Sequence, residues 1–243
     1  MANDVRAPRL AVLIDGDNPS SKIATGLFEE IAKIGEASVR RIYGDFSGTQ
    51  LKGWANILAK FAIMPQHTVA AVAGKNASDI ALVIDAMDLL HTGRFDAFCI
   101  VSSDSDFTRL ASRIREQGVD VYGFGEQKTP ESFRQACRRF IYTENLLPPP
   151  PKPTVNAPAA AKPEKVLGAP AEANRLVRTA LAQLEDADGW VSLGVLGKRL
   201  LELASDFDPR TYGHSKLVDL VTKSGGFEVR RPEGGGVYVR DKA

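Results

Sequence analysis

The stretch that most constrains this chain is Phe98-Cys99-Ile100-Val101, followed at once by Ser102-Ser103-Asp104-Ser105-Asp106-Phe107. A short apolar run ending in β-branched residues reads as a buried strand. It breaks into two serines and two aspartates, and Thr108 to Ile114 then takes up a helical rhythm. In an open α/β sheet, ligands gather outside the carboxyl ends of the strands, so Asp104 and Asp106 are expected there. The same pattern stands near the start, where Leu10-Ala11-Val12-Leu13-Ile14 runs into Asp15-Gly16-Asp17-Asn18. Two strand ends carrying aspartates point to one acidic site assembled from distant parts of the chain.

The remaining elements fit that frame. Strands are expected over residues 9–14, 37–43, 67–72, 97–101 and 120–124, with an edge strand over 140–142. Helices are expected after Ser20 or Ser21, over 51–61 with Leu51, Ala55, Leu58 and Ala62 inward, over 77–90, over 107–117 and from Pro130 to Ala136. Asn76 reads as the N-cap of the third helix, with Asp79 three positions on. Regular alternation of strand and helix implies an α/β fold, a mostly parallel sheet flanked by helices on both faces.

From Pro148 to Pro170 the pattern changes, for eight of the 14 prolines fall there among alanines. That segment reads as an extended linker between a domain of residues 1–147 and another of residues 171–243. In the latter, apolar stripes mark three helices, Ser192 caps one of them, and residues 227–230 and 237–239 alternate like a hairpin. Three helices and a β wing make a small winged-helix α+β domain.

The formal net charge of +1 gives no bulk attraction to a polyanion, so any such binding must come from local patches. Cys99 and Cys137 lack metal-ligand spacing, and Cys99 reads as a reduced core thiol. The polar start of the chain lacks a secretory signal, and no run is long enough to span a membrane. A cytoplasmic protein without membrane contact is the expectation.

On strand order, Asp15, Asp79 and Asp104 share the carboxyl edge of the sheet, with Asp106 beside them. Clustered carboxylates repel unless a cation offsets them. A hard divalent ion such as Mg²⁺ takes one or two carboxylates plus waters and substrate phosphate, and with it the chemistry is attack of water on a phosphodiester. Plainer readings exist for each residue, since an aspartate after a strand also makes turns and Asp79 also suits a capping box. Asn18 and Ser103 are candidate supporting residues, as is Asp85. Lys75 and Arg109 are candidate phosphate contacts.

At these residues the chain resembles a known family. Ile14-Asp15-Gly16-Asp17-Asn18, Lys75-Asn76-Ala77-Ser78-Asp79-Ile80 and Val101-Ser102-Ser103-Asp104-Ser105-Asp106-Phe107 look like the three signatures of NYN domains, which are PIN-like metal-dependent nucleases. The resemblance covers about residues 8–147. It implies Mg²⁺ or Mn²⁺, RNA cleavage, most simply by an endonuclease, and an acidic set of Asp15, Asp79, Asp104 and Asp106. Asp208-Pro209-Arg210-Thr211-Tyr212-Gly213-His214-Ser215-Lys216-Leu217 and Gly226-Phe227-Glu228-Val229 are similar to the OST-HTH or LOTUS domain, whose members bind RNA or protein partners.

Residues 171–243 hold eleven basic and eleven acidic side chains, so charge alone does not demand RNA. Lys198, Arg199, Arg210, Lys216 and Lys223 are the candidate patch, with Arg210 and Lys216 the foremost contacts. Tyr212 reads as a core anchor with a polar tip. The leading expectation is a metal-dependent ribonuclease with an RNA-binding module. One alternative is a non-catalytic RNA or protein adaptor. The other is a haloacid-dehalogenase-like phosphatase, suggested by Asp15-Gly16-Asp17. Ser102-Ser103 abutting Asp104 leaves no room for the basic residue such a phosphatase needs.

Overall fold

The computed structural model describes residues 6–68, 76–148, 168–184, 189–232 and 235–242. The chain divides into two compact units, residues 1–149 and 150–243. In the first, β1 (Arg9–Asp15), β2 (Glu36–Gly44), β3 (Met64–His67), β4 (Ala97–Val101), β5 (Asp120–Gly125) and β6 (Arg139–Tyr142) form one sheet in the order β3-β2-β1-β4-β5-β6. Every neighbouring pair is parallel. The connections return through α1 (Ala24–Ala32), two short turns α2 (Lys52–Ala55) and α3 (Leu58–Phe61), α4 (Ala77–His91), α5 (Thr108–Glu116) and α6 (Glu131–Ala136).

Burial follows the pleat. Leu10, Val12 and Ile14 point to the face covered by Leu27 and Ile31 of α1. The alternate residues, Leu13 and Asp15 among them, point to the other face, where α4 packs on β1 and β2. Leu10 through Ile14 and Phe98 through Val101 are fully buried, as a parallel sheet covered on both faces requires. At about 1.5–3 kcal/mol for each large apolar side chain, these central strands carry much of the unit's stability. The strand order reverses between β1 and β4, and a crevice opens at the carboxyl ends of strands at such a point.

Two local expectations are corrected. The third strand was expected over 67–72 but lies at Met64–His67, paired with Arg41 to Gly44 of β2. Pro65 sits inside it, which an edge strand tolerates because the missing N–H falls outside the ladder. Residues 69–72 of the expected strand lie outside the described residues. The helix expected over 51–61 is broken at Asn56 and Ile57 and ends at Ala62, whose φ is 51°. Its anchor is the buried Trp54, which donates from Nε1 to the Pro19 carbonyl at 2.9 Å, while Ala55 is exposed. Asn76 takes the N-cap position of α4 without a side-chain capping bond.

The second unit contains α7 (Pro170–Ala182), β7 (Val191–Ser192), α8 (Leu193–Leu203), α9 (Leu217–Lys223), β8 (Phe227–Arg230) and β9 (Tyr238–Asp241). The strands form an antiparallel sheet in the order β7-β9-β8. Ser192 caps α8 by accepting from Val195 N–H. Val177, Leu181, Leu196, Leu200, Val221 and Val239 are core residues. Tyr212 is buried against Phe207, with ring centroids 5.8 Å apart. Three helices and a β wing are the winged-helix layout. Among the described residues no helix is long and apolar enough to cross a membrane.

Candidate active site at the carboxyl edge of the sheet

Asp15 ends β1 and Ser102 follows β4, side by side where the strand order reverses. Gly16 makes the turn after β1. Its N–H donates to the Tyr43 carbonyl at 2.8 Å, and a Cβ there would meet that oxygen at 2.7 Å, so only glycine brings the turn so close to β2. Asp15 is 5% exposed. Ser102 Oγ donates to Asp15 Oδ2 at 2.7 Å and accepts from Asp104 N–H at 3.0 Å. One buried hydroxyl thus ties the two acidic strand ends together.

Asp104 Oδ1 accepts from Asp106 N–H at 2.9 Å, capping the short turn Ser105–Phe107. That is the turn-making role open to any aspartate after a strand, and it leaves the second carboxylate oxygen for another partner. Ser103 N–H donates to Asn18 Oδ1 at 3.0 Å, and Ser103 Oγ accepts from Glu126 N–H at 2.7 Å. Asn18 and Ser103 therefore bind the ends of β1, β4 and β5 into one rim. Asp79 lies in the first turn of α4, and Asp106 is exposed beside Asp104.

The electrostatics show which carboxylates face one another. Burial pushes Asp15 up to about 6, with further upward pressure from the charges of Asp79 and Asp17, against the lowering bond from Ser102. Asp79 is raised as well, first by burial and then by the charges of Asp104, Asp106 and Asp17. Asp15, Asp17, Asp79, Asp104 and Asp106 thus share one repulsive field. Among the described residues no three His, Cys, Asp or Glu side chains converge tightly enough to grip one ion together. A hard divalent cation such as Mg²⁺ is commonly bound by only one or two carboxylates, with waters completing its shell.

The other expected residues fall as follows. Asp85 is the hydrogen-bond and ion-pair partner of Tyr43 and Arg41 over β2. Its support reaches the acidic edge only through β2, because Tyr43 stands opposite Asp15 in the ladder and holds Gly16. Arg109 is exposed in the first turn of α5. Lys75 lies outside the described residues. In the second unit, Arg210 is clamped through Nε and Nη2 on the buried Asp208, at 3.0 and 2.6 Å. Arg199 binds Gln183 and Glu202. Lys198, Lys216 and Lys223 are exposed.

Sequence reasoning missed Ser102 and Asp17 as members of this site. Ser102 was signalled only by its place as the first polar residue after a buried strand. Asp17 accepts from Ser78 Oγ at 3.5 Å and adds charge toward both Asp15 and Asp79.

A six-stranded parallel sheet in this order, flanked by helices, fits the PIN-like fold of NYN domains. The chain is a member of the NYN domain family, whose model matches residues 9–146, and the OST-HTH/LOTUS domain model matches residues 170–239. Among solved structures, the chain is similar to a protein of unknown function from Vibrio parahaemolyticus, at 19% identity over 58% of this chain and 96% of that one, with a TM-score of 0.47. It is also similar to an uncharacterized protein from Nitrosomonas europaea, at 37% identity over 38% of this chain and 90% of that one, with a TM-score of 0.29. A search of curated proteins finds no match.

Proposed function

We propose that the first unit is a metal-dependent ribonuclease, acting as an endonuclease, and that the second binds RNA for it. The observation that carries this reading is the shared field of five aspartates at the strand-order reversal, with Asp15 and Asp79 both raised. Mutually repelling carboxylates cost stability, and a purely structural edge gains nothing from keeping them together. Asp15, Asp79, Asp104 and Asp106 would hold Mg²⁺ or Mn²⁺, directly or through water, and Asp17 adds to their field. When bound, such an ion lowers the pKa of a coordinated water and offsets charge on the leaving oxygen.

The chain's own residues do the positioning. Ser102 fixes the Asp15 carboxylate and, through Asp104 N–H, the register of the second strand end. Asn18 and Ser103 keep the rim closed. Arg109, exposed just beyond Asp106, is the proposed contact to a substrate phosphate. The buried free thiols Cys99 and Cys137 suit a reducing, cytoplasmic setting. The LOTUS match supports RNA as the partner of the second unit, with protein docking as the alternative use of that module.

The test is cleavage of an end-labelled RNA by the full chain with Mg²⁺ or Mn²⁺, repeated in excess chelator. Internal cuts that vanish in chelator are expected. Metal-independent cleavage, or none with either ion at any RNA concentration, contradicts the reading.

A further inference from the structure

Two members of the expected basic patch, Arg199 and Arg210, are spent on the chain's own carboxylates and amides, while Lys198, Lys216 and Lys223 stay exposed with no aromatic ring beside them among the described residues. Arg199 holds Gln183 and Glu202, and Arg210 holds Asp208. Tyr212 is buried rather than offered to a base. The wing is different. In its register Glu228 stands opposite Arg240 and Arg230 opposite Tyr238, so these side chains share one face of the sheet, while Val229 and Val239 take the other. Val239 is buried in the core, which leaves the Arg230 and Arg240 face toward solvent.

On that face the guanidinium of Arg230 lies 5.0 Å from the Trp190 ring centroid and that of Arg240 lies 4.9 Å from it. A guanidinium stacked on an aromatic ring is held by its flat face, and its N–H edge stays free for an oxyanion. Arg240 spends Nη2 on Glu228 Oε2 at 2.5 Å. Among the described residues no carboxylate pairs with Arg230. Exposed Arg231 and Lys242 add charge, while Asp241 is engaged by Arg178. Beside the ring, along the outer edge of β8, opens a shallow cleft lined by Trp190, Thr222, Phe227, Val229, Arg230 and Lys242, with Glu228, the partner of Arg240, also at its wall. Apolar floor, aromatic wall and cationic rim are the ingredients of a site for single-stranded nucleic acid.

We propose that this wing face, centred on Trp190 and Arg230, is where the second unit takes single-stranded RNA, with phosphate on Arg230 and Lys242 and a base in the cleft. The inference rests on the RNA reading of that unit and fixes its surface. A duplex is disfavoured, because its bases are stacked away from the cleft.

The chain supplies its own probe, for its two tryptophans are the buried Trp54 and the half-buried Trp190. The full chain is titrated in chelator with a fluorescein-labelled oligouridylate of about twelve nucleotides and with a duplex of similar length, within the span of single-strand sites. Anisotropy and tryptophan emission are both read. Binding of the single strand with quenching is expected, and Trp190→Phe should abolish most of the quench. Trp190→Ala, which removes the ring that holds Arg230 and Arg240, and Arg230→Glu should weaken binding about tenfold, the scale of losing one directed cationic contact. Arg230→Gln should flatten the salt dependence by about one ion. Lys216→Glu, at the N-cap of α9, should weaken binding by less than about threefold.

Tight binding without quenching overturns the wing assignment and leaves RNA binding standing. So does a larger loss in Lys216→Glu than in Arg230→Glu. Absence of binding by either RNA at low salt overturns the assignment and the RNA reading together. Trp190→Phe, which keeps an aromatic ring beside both arginines, assigns the quench to Trp190 rather than Trp54 even where Trp190→Ala folds poorly.

Discussion

Replacing Asp15 by asparagine should stabilise the metal-free protein, and only at neutral pH. Asp15 is pushed up to about 6, chiefly by burial. Between about pH 4 and 6 the folded chain keeps a proton on Asp15 that the unfolded chain has already lost. Stability therefore falls as pH rises through that window, and above about pH 6 the full cost is present. A rise from about 3.9 to about 6 corresponds to about 3 kcal/mol. Asparagine removes the charge and keeps an oxygen to accept from Ser102, though a neutral acceptor gives back about 1 kcal/mol. The net gain is about 2 kcal/mol, or about 5 °C in Tm for a unit of this size. Calorimetry of the full chain in chelator, at about pH 4.5 and 7.5, reads this for the transition of the first unit. Mg²⁺ should then raise the Tm of the unsubstituted protein at neutral pH more than that of Asp15→Asn. Lower stability of Asp15→Asn at neutral pH, or the same gain at both pH values, refutes the reasoning.

Two further outcomes follow from the same geometry. Ser102→Ala leaves buried Asp15 Oδ2 and Asp104 N–H without the hydroxyl they share, so it should lower stability by about 1–3 kcal/mol in urea unfolding and move Asp15 further up. Residues 1–148 alone should keep the maximal rate of cleavage but need more RNA to reach it, because the second unit no longer supplies local concentration; saturation kinetics of both forms check this, and an unchanged KM contradicts it.

The central strands were legible because their apolar runs are uninterrupted and end in polar turns. The strand at residues 97–101 was placed to the residue and Ser192 caps α8 as expected, while of Ser20 and Ser21 it is Ser20 that caps, on the short turn Ser21–Ile23 that leads into α1. The third strand begins earlier than expected because Pro65, a residue that usually marks a strand's boundary, lies inside an edge strand, which has room for it. The helix over 51–61 failed because its apolar spacing was read as one stripe, while burial selects Leu51 and Trp54 and lets the rest unwind. At the site, Asp15, Asp79, Asp104 and Asp106 could be assigned to one edge from strand order alone. The part of Ser102 could not, since a serine after a strand says nothing about its partner in another strand. The Trp190 cluster was beyond reach for the same reason, because Arg230 and Arg240 come to it from a separate hairpin.

The central claim is that the acidic edge performs the cleavage, and Asp104 tests it most directly. Its cap on Asp106 N–H survives in Asp104→Asn, which retains an accepting oxygen at that atom. Fold and RNA binding should therefore persist. The single-turnover rate on saturating RNA with Mg²⁺ or Mn²⁺ should fall by about a hundredfold or more, as loss of a group that supports the transition state directly does. An unchanged rate in a folded, RNA-binding Asp104→Asn protein would contradict the account.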